Sequence, residues 1–113
     1  MNHKIELKTY ESGLIENNDK RVIIRPKAGS FAKIAKGDLI ECNGHKLLVL
    51  GVREYPRLED LFHVESLDWI AMKVKDAVEG IKKFKEDYSE VIDKDSKFLA
   101  IEFSMQGAES YGV

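Results

Sequence analysis

The 113-residue sequence predicts a small α+β domain built on a strongly curved antiparallel or mixed β-sheet, a small β-barrel with two or three helices. Three observations predict it. Short β-branched segments come first and the longest helical pattern comes late, whereas a doubly wound sheet needs strands and helices in alternation. Asn43-Gly44 joins two apolar segments, the strongest short-range hairpin signal, because both residues tolerate positive φ. Gly51 then interrupts the second segment, as a bulge or bend does where a sheet must curl.

The elements follow in order. His3–Lys8 alternates weakly and reads as a first strand. Tyr10–Asn18 is expected to form a short helical turn that packs Leu14 and Ile15 inward. Arg21–Arg25 is β-branched and short, hence a strand, and Pro26 ends it because proline has no N–H for a ladder. Lys27–Lys36 reads as a loop anchored by Phe31 and Ile34. Asp38–Cys42 and Lys46–Tyr55 are the hairpin strands. Pro56 opens a short helix, Arg57–Val64, with Glu59 and Asp60 in its first turn to favour the positive helix end. Ile70, Val74, Ala77, Val78, Ile81 and Phe84 recur at three- and four-residue steps, which predicts one apolar stripe on a helix from about Leu67 to Tyr88. Phe98–Met105 is the last strand, with Leu99, Ile101, Phe103 and Met105 on one face, and 106–113 reads as a fraying polar tail.

One domain over residues 1–113 is expected from this length. The single cysteine, Cys42, has no partner for an internal disulfide, and the N-terminus lacks the apolar stretch of a signal peptide. No apolar run approaches the ~20 residues that span a bilayer, so a cytoplasmic protein without a membrane partner is expected. Net charge is −2, but residues 1–57 carry 11 Lys/Arg against 7 Asp/Glu, and residues 58–113 carry 7 against 13. Such asymmetry can put a positive face on an acidic protein, though uneven charge also arises by chance.

Several residues resemble the ASCH domain of the PUA-like superfamily, over most of the chain from about Leu14 to Met105. Lys20-Arg21-Val22-Ile23-Ile24-Arg25 is similar to its Gly-x-Lys-x-x-(Glu or Thr)-x-Arg signature. Lys36-Gly37-Asp38-Leu39-Ile40 resembles its entry into the central hairpin, Leu58–Phe62 its short helix, and Ala100-Ile101-Glu102-Phe103 its closing strand. The resemblance implies a small β-barrel that handles RNA or modified nucleosides. It also implies a possible activity, since some small members are amidohydrolases acting on N4-acetylcytidine through a Lys, a Thr and a Glu. Two positions depart from the pattern. Asn18 stands where the signature has Gly, and Ile23, which has no proton to move, stands where it has Glu or Thr.

The site residues that follow are Lys20, Arg21, Arg25 and Lys27 for binding RNA or a nucleoside. If the chain is an enzyme, the resemblance implies Lys20 and Glu65 as its catalytic groups. An Arg fork suits a phosphate because it donates two parallel hydrogen bonds, but the same charges on a strand edge also discourage edge pairing. Cys42-x-x-His45 has metal-knuckle spacing, yet zinc needs four ligands and His3 and His63 form no second close pair. No metal or cofactor is expected. His63 beside Glu65 offers an acid–base pair only if a turn brings them together, because residues two apart do not share a helical face. Trp69 and Tyr55 are expected to bury beside the helix stripe, with stacking on a base as their functional alternative. No Walker A loop, dinucleotide-binding fingerprint or DNA-reading motif is present. A binding module, an amidohydrolase and a protein-interaction domain therefore stand as alternatives, in that order.

Overall fold

The computed structural model describes residues 2–7, 11, 21–42 and 44–105. Its strands are β1 (Asn2–Ile5), β2 (Val22–Pro26), β3 (Leu39–Cys42), β4 (His45–Tyr55) and β5 (Phe98–Met105). They form one mixed sheet in the order β1-β3-β4-β5-β2, curled into a half-barrel. The β3–β4 hairpin is the one predicted: Cys42 stands opposite His45, and Gly44 takes φ +82°. β5 is antiparallel to both β4 and β2, and β1 lies parallel to β3 with Asn2 opposite Leu39. The register of β4 against β5 slips between Val49 and Gly51, where the glycine predicts a bulge. An extra residue there increases the local twist and helps the sheet curl.

Alternation sorts each strand into two faces. Ile23, Leu99, Ile101 and Phe103 turn to the inner face and pack with Ile5, Ile40, Leu47 and Val49. Val22, Ile24, Phe98 and Ala100 turn to the other face, which the helices cover. Each fully buried aliphatic or aromatic side chain stabilises the fold by about 1.5–3 kcal/mol through leaving water.

The first helix, α1 (Leu58–Val64), lies within its predicted range and buries Leu58, Leu61 and Phe62. The second, α2, is shorter than the apolar stripe predicts, running only over Ala77–Asp87. Asp76 caps it, accepting from the Glu79 N–H at 2.9 Å. Upstream, the backbone prefers the sheet. The Arg21 and Val22 amides both donate to the Trp69 carbonyl at 2.8 Å, and the Ala71 amide donates to the Val22 carbonyl at 2.7 Å. Ile70 thus bridges Val22 and buries itself beside the edge strand, not on a helix. Val78, placed in the stripe by its spacing, is 76% exposed.

The predicted loop Lys27–Lys36 contains a 3₁₀ turn, Gly29–Lys33, followed by buried Ile34. The expected turn at Tyr10–Asn18 and the expected tail at 106–113 lie outside the described residues, apart from Glu11. Among the described residues no helix is long and apolar enough to cross a membrane.

Candidate functional site

Strands β1 and β2 end the strand order on opposite sides, so curling brings them toward each other across a seam. Arg25 of β2 closes it. Its side chain is 1% exposed and forks onto the Glu11 carboxylate, Nη1 to Oε2 at 2.9 Å and Nη2 to Oε1 at 3.0 Å. Nη2 also donates to the Glu6 carbonyl just beyond β1 at 3.0 Å, and Nη1 to the Ile24 carbonyl at 2.7 Å. A buried charge is tolerated only when paired and hydrogen-bonded in this way.

A cleft of about 320 Å³ opens above this pair. Phe31 from the 3₁₀ turn and Tyr88 from the end of α2 line it beside Arg25, and Lys4, Glu6 and Ser30 supply polar groups. The Arg25 guanidinium carbon stands 6.0 Å from the Phe31 ring centroid. Burial pushes the Tyr88 phenol up to about 12. Two aromatic rings above a charge-compensated floor suit a planar, polar heterocycle.

The residues expected to form the site are distributed as follows. Arg25 lines the cleft, although the fork that suits it for phosphate is closed on Glu11. Arg21 is half-buried at the start of β2. Lys27, at the other end, is exposed and donates to Glu54 at 2.6 Å. Lys20 lies outside the described residues. Ile23 is fully buried in the inner core.

Glu65 belongs to a separate cluster. Its carboxylate accepts from Arg53 Nε at 2.7 Å and Nη2 at 2.9 Å, and from the Tyr55 hydroxyl. The same guanidinium reaches Glu102 through Nη1 at 2.8 Å. Arg53 chiefly, with Tyr55, holds the Glu65 carboxyl below the usual carboxylate range, against the opposing effect of burial. Burial, followed by the Glu65 bond, raises the Tyr55 phenol. His63 is exposed on the last turn of α1 and is not among the groups bonded to Glu65.

Sequence reasoning missed Arg53, Glu11 and Tyr88. The Arg53-x-Tyr55 alternation, which puts both on one strand face, was a legible signal for the first. Pairing across fourteen positions left no local signal for Glu11. Cys42 faces the inner core, and burial raises its thiol to about 11. Among the described residues no group of three His, Cys, Asp or Glu side chains could hold a metal.

Trp69 departs from expectation. It is 51% exposed, because the segment carrying it is pinned to the edge of β2 and not wound into a helix.

No family model matches the chain, and no curated protein does. Two solved structures are similar over nearly their whole length. One is the crystal structure of hypothetical protein PH0355, with TM-score 0.82 and 26% identity over 93% of this chain and 99% of that one. The other is the solution structure of protein PF0455 from Pyrococcus furiosus, with TM-score 0.76 and 26% identity over 94% of this chain and 98% of that one. Both share the curled mixed sheet.

Proposed function

We propose that the protein is an RNA- or modified-nucleoside-binding module of the ASCH/PUA-like class, and that the seam cleft receives the base. The observation that carries this reading is the juxtaposition of Phe31 and Tyr88 around the compensated Arg25–Glu11 pair. Sequence-specific RNA binders take an unstacked base against aromatic rings and read its edge with hydrogen bonds. Ser30, Lys4 and Glu6 line the same cleft and supply polar groups suited to such a reading.

Hydrolysis finds less support. A general acid must carry a proton near neutral pH, yet Arg53 and Tyr55 hold Glu65 in its ionised form. Glu65 is also absent from the residues lining the cleft.

Amide NMR spectra titrated with cytidine, N4-acetylcytidine and short single-stranded RNA test the reading. Shifts concentrated at Ser30 and Phe31, and weakened affinity in Phe31→Ala, are the expected result. Ligand-independent spectra at both residues would remove the cleft as the site. Acetate release from N4-acetylcytidine, abolished by Lys20→Ala, would establish the amidohydrolase instead.

A further inference from the structure

We propose that Trp69 is a stacking platform for one base of single-stranded RNA, with Arg21 beside it to meet the phosphate backbone. This rests on the RNA-binding reading above and deepens it. It adds a contact at the opposite end of β2 from the cleft and makes an oligoribonucleotide, not a free nucleoside, the ligand.

The backbone that carries the indole is pinned. The Trp69 carbonyl accepts from the Arg21 and Val22 amides at 2.8 Å, and the Trp69 amide donates to the Ser66 carbonyl at 3.0 Å. The next two residues, Ile70 and Ala71, are completely buried, so the segment cannot roll to hide the ring without exposing them. Ile70 packs with Val22 on the helix-covered face, while Ala71 joins the inner-face cluster. The hydrogen bond from the Arg21 amide to the Trp69 carbonyl sets the two residues side by side on neighbouring segments.

Charge favours a polyanion here. Among the described residues Arg21, Lys73 and Lys75 take part in no ion pair, while Arg53 offsets one of the two charges of Glu65 and Glu102. Lys73 and Lys75 are exposed on the segment that follows the indole. An exposed aromatic face with uncompensated cations around it is the chemistry by which proteins hold single strands without reading sequence. Arg21 to Arg25 spans about 13 Å of strand, so a single nucleoside cannot touch both the platform and the cleft.

The chain has one tryptophan, so its intrinsic fluorescence reports on this position alone. The full chain would be titrated with an oligouridylate of about eight nucleotides, inside the usual ~4–16-nucleotide site size, and separately with uridine. The oligonucleotide should quench saturably, with the midpoint moving to higher concentration as salt rises, and uridine should leave the emission unchanged. By anisotropy of labelled RNA, Trp69→Ala should weaken binding roughly 5- to 150-fold, and Trp69→Phe much less. Arg21→Gln should reduce the salt slope by about one. Circular dichroism would verify that each variant folds.

RNA that binds by anisotropy, without quenching and equally well to Trp69→Ala, overturns the platform and leaves the RNA reading intact. Quenching by uridine equal to that by the oligonucleotide overturns the ligand class. RNA that binds under no condition overturns both. Emission that changes with protein concentration alone assigns the surface to a second copy of the chain and overturns the proposal.

Discussion

Arg25 and Glu11 meet as a two-pronged ion pair with both side chains 1% exposed, at the seam where the half-barrel nearly closes. The pair joins β2 to a segment fourteen residues earlier, and the same guanidinium holds the Glu6 carbonyl beyond β1. One side chain therefore ties both free ends of the sheet and floors the cleft.

Removing one partner should be much worse than removing both. Arg25→Met strands the Glu11 carboxylate in the interior and is expected to cost about 3–5 kcal/mol. The double variant Arg25→Met with Glu11→Leu replaces the pair by apolar groups and should recover much of that loss. Urea denaturation of the two singles and the double measures it. A double variant destabilised by the full sum of the two single losses would show that the pair is not coupled.

The Arg53–Glu65–Tyr55 cluster should make the fold acid-sensitive. The Glu65 carboxyl titrates below its ordinary value of 4.5 in the folded chain, chiefly because of the Arg53 hydrogen bonds. Its contribution is thus complete above that value and drains away as the pH falls through the lower folded one. Glu65→Gln should flatten the fall of stability below about pH 4.5. Thermal midpoints across an acid pH series test this, and parallel curves for wild type and variant would contradict it. Tyr55→Phe keeps the charge pair but deletes the hydroxyl donor, and should cost about 1.5–3 kcal/mol near neutral pH.

Ile23→Thr would restore the hydroxyl of the resembled signature, but at a position with no exposed surface, surrounded by Ile5, Ile101 and Leu99. Burying a hydroxyl without a partner costs about 1–3 kcal/mol in proteins. The variant should therefore be less stable than wild type and gain no hydrolysis of N4-acetylcytidine. Chemical denaturation and acetate release are the two measurements. A stable variant that releases acetate would reopen the catalytic reading.

Gly80→Ala should destabilise the protein although alanine is the better helix former. The gain in helix propensity is about 1 kcal/mol. A methyl group there would sit 2.8 Å from Cε1 of Phe62, whose ring is packed between α1 and α2. Overpacking of this kind costs about 1–3 kcal/mol, which outweighs the gain. A raised melting temperature would show that the two helices can part to admit it.

Local chemistry was legible in the sequence wherever it acts through neighbours along the chain. Asn43-Gly44 determined a hairpin, Gly51 the bulge, Pro56 with Glu59 and Asp60 a helix start, and the apolar alternation of Phe98–Met105 a strand. The same reasoning failed between Leu67 and Asp76. There the apolar spacing is helical, but the Arg21 and Val22 amides need an acceptor, and the Trp69 carbonyl serves both. A buried amide without an acceptor costs more than a helical turn returns, so the sheet edge prevails over the local pattern. The candidate site was legible only in part. Arg25 was identifiable as a charged residue on a strand, but whether its fork faces a ligand or a carboxylate depends on what the curl brings opposite. Glu11, Phe31 and Tyr88 come from three separated segments, and only closure of the half-barrel sets them around one guanidinium. Residue type sets the hydrogen bonds a side chain can make, and the long-range contacts set by packing decide which of them it does make.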